Sequence, residues 1–254
     1  MQAADNLICQ PAIRKARQQE KHHLVLRFLR QHLWTSQLIL QLVLGLTSRQ
    51  AAHKTLKQMA VLGLIKSCIF KALGGNLTLW GITHQGQAIA FNVDTECLVD
   101  SCFEPSRISE QTIRHQLDIH LLRLQAEAAG WTNWLDGDRL GAYGKDQKRP
   151  DALAKDSKGS IVAFECERTF KSTKRYEQIL VNYLKLIKSQ NIAYVVWVCP
   201  SKEMTIRLKI ILTSIKSVRV NGQRIEIDPM KHHLNLFFSS YDIWPLFNVS
   251  TIPE

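Results

Sequence analysis

Apolar residues first recur at helical spacing at Leu24, Val25, Phe28, Leu29 and Leu33, and the pattern breaks at Trp34-Thr35-Ser36, which predicts a first helix from Lys21. A second short apolar stretch runs from Ser36 or Gln37 to Leu44 and stops at Gly45. Thr47-Ser48-Arg49-Gln50 offers capping side chains ahead of a third helix, Ala51 to Leu62, with Leu56, Met59 and Ala60 turned inward. Past Gly63 the period shortens to that of a strand. Leu64–Phe70 and Leu77–Ile82 alternate on either side of Gly74-Gly75-Asn76 and predict a hairpin.

Three short helices with tight links predict a helix-turn-helix, with the hairpin as its wing. The third helix turns Arg49, Gln50, His53, Lys54 and Lys57 mostly outward, the residue types that reach base edges and phosphates in a major groove. Met59-Ala60-Val61-Leu62-Gly63-Leu64-Ile65, followed by the hairpin and Thr83-His84-Gln85-Gly86, resembles the winged-helix regulators of bacteria. Winged helices also serve as dimerisation or protein-docking modules, and that reading stays open.

The second half changes pattern. Asp94, Glu96, Asp100 and Glu104 interrupt the basic stretch, and Glu104-Pro105-Ser106 marks a break, so a joint is placed over residues 94–107. The expected organisation is therefore an extension over 1–20, a DNA-binding domain over 21–93, this linker, and a catalytic domain over 108–254. Ile108–Gly130 reads as a helix, and an Asp/Gly-rich loop (Asp136, Gly137, Asp138, Gly141, Gly144) follows. Arg149-Pro150-Asp151-Ala152-Leu153 and Ile161–Glu167 then read as an antiparallel strand pair across Lys155–Gly159. A helix over Ser172–Ser189, a buried strand over Ile192–Cys199, a helix over Lys202–Ser217 and a hairpin turned at Asn221-Gly222 complete the fold. Leu234–Trp244 is expected to add an edge strand or a partner contact. The fold class is α+β or α/β, with a central mixed sheet in the second domain.

Side chains two apart on a strand share a face, so Glu165 and Glu167 are expected side by side, with Val162, Phe164 and Cys166 opposite. Asp151 starts the partner strand and reaches the same patch in the usual register. Acids at this spacing often lie on a solvated strand face. Here, however, Ile161–Phe164 is apolar on both faces, and carboxylates ending a buried strand are costly without a function. Three converging acids repel one another unless a cation sits between them. An all-oxygen set of Asp151, Glu165 and the Cys166 carbonyl suits Mg²⁺ or Mn²⁺, with Glu167 as a further ligand or as the group that orients the nucleophile. Lys171 is placed to balance charge in a pentavalent transition state.

Composition sharpens this picture. The 254 residues carry a net charge of +11, and between Asn6 and Val93 there are eleven Lys/Arg and a single acid, Glu20, a balance suited to a polyanion. The six cysteines are scattered, without CxxC pairs or zinc-ligand spacing. No apolar run approaches the length of a membrane span, and Met1–Gln19 has no signal-peptide core, so a soluble, cytoplasmic protein without membrane insertion is expected.

Asp151, with Glu165-Cys166-Glu167 fourteen positions on and a helix and strand after it, resembles the PD-(D/E)XK restriction-endonuclease-like nucleases, and Pro150-Asp151 preserves the motif's first pair. The departure is Glu167, which stands where most of that superfamily has Lys; Lys171 or Lys174 is the candidate replacement. Arg114-His115-Gln116-Leu117-Asp118, Arg149-Pro150-Asp151-Ala152 and Phe164–Tyr176 together are similar to the MobC-type plasmid relaxases and the related replication-relaxation proteins. That resemblance implies strand-specific nicking of duplex DNA at a plasmid transfer origin, with an accessory mobilisation protein and a type IV coupling protein as partners. It also implies catalytic roles for Asp151, Glu165, Glu167 and Lys171, with His115 near the site. Lys171, Lys174, Arg175, Lys185 and Lys188 offer a track for the cut strand, and a solvated helix face accounts for them equally well. Tyr176 and Tyr183 share a helix face and are expected to pack on the sheet rather than to attack phosphate. Two other functions remain open: an endonuclease that cuts both strands, and a non-enzymatic plasmid regulator.

Overall fold

The computed structural model describes residues 10–72, 74–91, 101–141, 148–220, 222–232 and 234–245. Residues 1–9 of the expected extension, 94–100 of the expected linker, Gly144 in the Asp/Gly-rich loop and Asn221 of the hairpin turn lie outside the described residues. The chain divides into two compact units, Met1–His120 and Leu121–Glu254.

The first unit opens with α1 (Pro11–His32), then a short strand β1 (Trp34–Ser36), α2 (Gln37–Val43) and α3 (Arg49–Val61). The first helix starts ten residues before Lys21, because Pro11 occupies its first turn, where a missing N–H costs nothing. Apolar periodicity misses that start: residues 11–20 are all exposed, and burial begins at Val25. The Ser36 and Ser48 hydroxyls accept the Ile39 and Ala51 amides and cap α2 and α3. Strands β2 (Ile65–Ala72) and β3 (Gly75–Ile82) pair antiparallel from Ile65↔Ile82 to Ala72↔Gly75, and β1 pairs with β3 through Thr35↔Trp80. Helix α4 (His84–Ala90) follows, capped by the Thr83 hydroxyl. Val25, Leu29, Leu40, Leu56, Met59, Ile65 and Trp80 form buried apolar surface of this unit. Phe103, within the expected linker, is fully buried and packs with Leu79 and Ile113.

The boundary between units falls inside α5 (Glu110–Ala128) rather than in an extended segment. The second unit continues through β4 (Thr132–Asp136), β5 (Ala152–Lys155), β6 (Ile161–Cys166), α6 (Thr173–Lys188), β7 (Tyr194–Cys199), α7 (Lys202–Thr213), β8 (Ser217–Val220), β9 (Gln223–Glu226), α8 (Pro229–His232) and β10 (Leu236–Ser240). Five of these strands form a mixed sheet in the order β10-β7-β6-β5-β4, with β7 parallel to both neighbours and β5 antiparallel to both of its own. The chain is thus mixed α/β, and the tail expected near Leu234–Trp244 supplies the edge strand. The predicted hairpin near the C-terminal end is β8–β9, in register from Ser217↔Glu226 to Val220↔Gln223.

Helix α6 buries Tyr176, Ile179, Leu180 and Tyr183, the spacing of one helical stripe, against Ala163, Val195 and Trp197 of the sheet. Ser172 caps it through the Arg175 amide. On the opposite side of β6, Phe164 meets Trp134 at 5.0 Å and Trp244 at 5.3 Å between ring centroids. The alternation predicted for β6 is therefore present, but both faces are covered, so its acids end inside the protein. Among the described residues no helix is long and apolar enough to cross a membrane.

Candidate active site at the ends of strands 5 and 6

Register decides which acids meet. β5 and β6 pair Ala152 with Phe164, so one step outward brings Asp151 opposite Glu165. The Asp151 amide donates to the Phe164 carbonyl at 3.1 Å, and the Cys166 amide donates to Asp151 Oδ2 at 2.8 Å. This carboxylate is thus fixed by the backbone of the strand that carries Glu165. From the other side the Gly137 amide donates to the Asp151 carbonyl at 2.7 Å. A Cβ at Gly137 would lie 2.2 Å from the Pro150 carbonyl oxygen, so only glycine admits that approach.

Glu165 is 3% exposed, and its Oε1 accepts both the Tyr183 hydroxyl and the Lys148 ammonium, the latter at 2.8 Å. Lys148 Nζ also lies 3.9 Å from Asp151 Oδ1 and donates to the Arg149 carbonyl at 2.8 Å. Burial, then the nearby Asp151 charge, pushes the Glu165 carboxyl up to about 7, against the opposing pull of Lys148 and Tyr183. Burial acts to lower the Lys148 ammonium, but Glu165, Asp151 and Glu167 together outweigh it and hold it above the usual lysine range.

Glu167 is also 3% exposed, yet it has a different partner: both its oxygens accept from Lys171. The Tyr176 hydroxyl accepts the Lys171 amide at 3.2 Å, and burial, with the adjacent Glu167, raises the Tyr176 phenol far above its usual range. Both tyrosines are fully buried on the sheet side of α6, in line with the packing expectation and against a role as exposed nucleophiles. Beneath them, burial lifts the Cys199 thiol to about 11. Cys166, whose carbonyl was a candidate ligand, sends its thiol to the other face, 3.1 Å from the Tyr241 hydroxyl.

Within the second unit, then, Asp151 and Glu165 meet at Lys148, whereas Glu167 pairs with Lys171. Sequence reading missed Lys148. Its signal was a cation three positions before Asp151, but adjacency in a loop does not say where an ammonium turns. Lys174 and Arg175 are exposed at the start of α6. His115 belongs to the first unit, on α5, half-buried.

In the first unit Arg49, Gln50, His53, Lys54 and Lys57 are all exposed on α3, while Ala52, Leu56 and Met59 are buried. His53 Nδ1 lies 3.0 Å from Gln37 Oε1, and Gln37 donates to the Arg49 carbonyl at 3.0 Å, which ties the start of α3 to α2. Lys54 and Lys57 line a groove of about 400 Å³ with Gln18 of α1. No family model, curated protein or solved structure matches the chain.

Proposed function

We propose that the chain is a metal-dependent DNA nickase of the mobilisation-relaxase type, with a winged-helix DNA-binding region and a restriction-endonuclease-like catalytic region. The observation that carries this reading is the meeting of Asp151, Glu165 and Lys148 at the ends of β5 and β6. A buried Glu165 carboxyl pushed up to about 7 and a half-buried Asp151, both facing one lysine, form an oxygen-donor set that fits a hard divalent cation. Asp151 and Glu165 would hold Mg²⁺ or Mn²⁺, with the Cys166 carbonyl as a third donor. Such an ion, when bound, polarises a phosphate and lowers the pKa of its water.

The chain's own groups do the rest. The Cys166 amide orients Asp151, and Tyr183 orients Glu165. Lys171 pairs with Glu167 and supplies positive charge beside it, its side chain 35% exposed. Lys174 and Arg175 offer contacts for the strand backbone. On α3, Arg49, Gln50, His53, Lys54 and Lys57 present donors to duplex DNA. The transfer origin, accessory mobilisation protein and type IV coupling protein follow from the resemblance of the Arg149–Ala152 and Phe164–Tyr176 motifs, and cytoplasmic action follows with them.

A second reading has its own support. Both glutamates are already engaged by lysines of the same chain, which is how a non-enzymatic regulator would keep a former site folded. Incubating the full chain with supercoiled origin DNA and Mn²⁺, beside Asp151→Ala, separates these readings. Relaxed circles from the parent and none from the variant are expected. Linear product would indicate a double-strand endonuclease. Equal nicking by the variant would refute the carboxylate assignment, and DNA binding without nicking by either would favour the regulator.

A further inference from the structure

We propose that Lys148 is the resident counter-cation of the Asp151–Glu165 pair and that it must leave its place for a divalent ion to bind. The inference rests on the metal-site reading above and concerns how ion uptake is controlled. Glu165 Oε1 already accepts two donors, Tyr183 and Lys148, about as many as a carboxylate oxygen has lone pairs. A metal ion that uses this oxygen displaces one of them. Tyr183 is fully buried among Trp197 and the α6 stripe and cannot withdraw. The Lys148 side chain is 16% exposed and has a route to water.

Asp151 leads to the same place. Its Oδ2 is taken by the Cys166 amide, whereas Oδ1 faces Lys148 at 3.9 Å. Asp151 Oδ1 and Glu165 Oε1 therefore face the same Lys148 ammonium, at 3.9 and 2.8 Å. An ion within its usual ~2.0–2.6 Å of such oxygens would sit against the ammonium with like charge. Lys148 thus holds the acids together when no ion is bound, and it weakens metal uptake by competing for these oxygens.

Calorimetric titration of the full chain with Mn²⁺ tests this, comparing the parent, Lys148→Gln and Lys171→Gln. Lys148→Gln is expected to bind Mn²⁺ about tenfold or more tightly than the parent, because no cation has to be expelled. Lys171→Gln removes the same net charge from the neighbouring Glu167 and should gain clearly less. In the parent, amine labelling read by mass spectrometry should find Lys148 protected without Mn²⁺ and reactive with it, a readout that needs no variant to fold. Equal or weaker binding by Lys148→Gln, an equal gain from Lys171→Gln, or Lys148 labelling indifferent to Mn²⁺ would each overturn the displacement. Absence of Mn²⁺ uptake by all three proteins would overturn the metal site itself.

Discussion

Replacing Glu165 with glutamine should change how stability depends on pH, in a direction that burial dictates. The carboxyl titrates at about 7 in the folded chain, against an ordinary value of 4.5. Below pH 4.5 both states hold the proton. Between 4.5 and 7 the folded chain keeps a proton that the unfolded chain releases, so stability falls as pH rises, and the loss is complete above 7. At about 1.4 kcal/mol for each tenfold change in proton affinity, this one group removes roughly 3 kcal/mol between pH 4.5 and 8. For a chain of this size that corresponds to a fall of roughly 5–10 °C in Tm. Other carboxylates titrate in the same range, so the informative quantity is the Tm difference between parent and Glu165→Gln, measured in EDTA. Glutamine keeps the volume, can accept from Tyr183 and Lys148, and does not titrate. Relative to the variant, the parent should lose those degrees between pH 5 and 8, and saturating Mn²⁺ at pH 8 should narrow the gap by favouring the ionised carboxylate. Parallel curves for the two proteins would refute a desolvated Glu165 whose charge is only partly compensated.

Gly137→Ala should push Pro150 and Asp151 away, costing about 1–3 kcal/mol in thermal melts and reducing nicking with DNA affinity unchanged. Unaltered stability and nicking would show that the loop yields without disturbing Asp151. Charge reversal at Lys54 and Lys57 together should weaken DNA binding and flatten the plot of log affinity against log salt by about 0.9 for each phosphate that is no longer neutralised. An unchanged slope would remove α3 from the DNA-binding surface.

Much of the local structure was legible in order along the chain, because each element carries its own period and its own punctuation. Ser36, Ser48 and Ser172 cap helices where the sequence places them, and Gly63 separates α3 from the strand that follows. The start of α1 was not legible, because residues 11–20 bury nothing and apolar spacing marks only helices that face a core. Nor was the burial of Phe103, which lies in a polar, proline-containing stretch and owes its burial to the residues it meets.

In the candidate site, the sequence by itself determined that Glu165 and Glu167 would project from one strand toward one side, since strand alternation is a local property of the backbone. Tertiary structure decided their partners. The β5–β6 register set Asp151 opposite Glu165, and the docking of α6 put Tyr183 on that glutamate. Lys171 went to Glu167, while Lys148 turned in from the loop onto Glu165, with Asp151 at 3.9 Å. Those choices depend on where separate segments meet and on how much water is left between them, and neither is encoded in residue spacing along one strand.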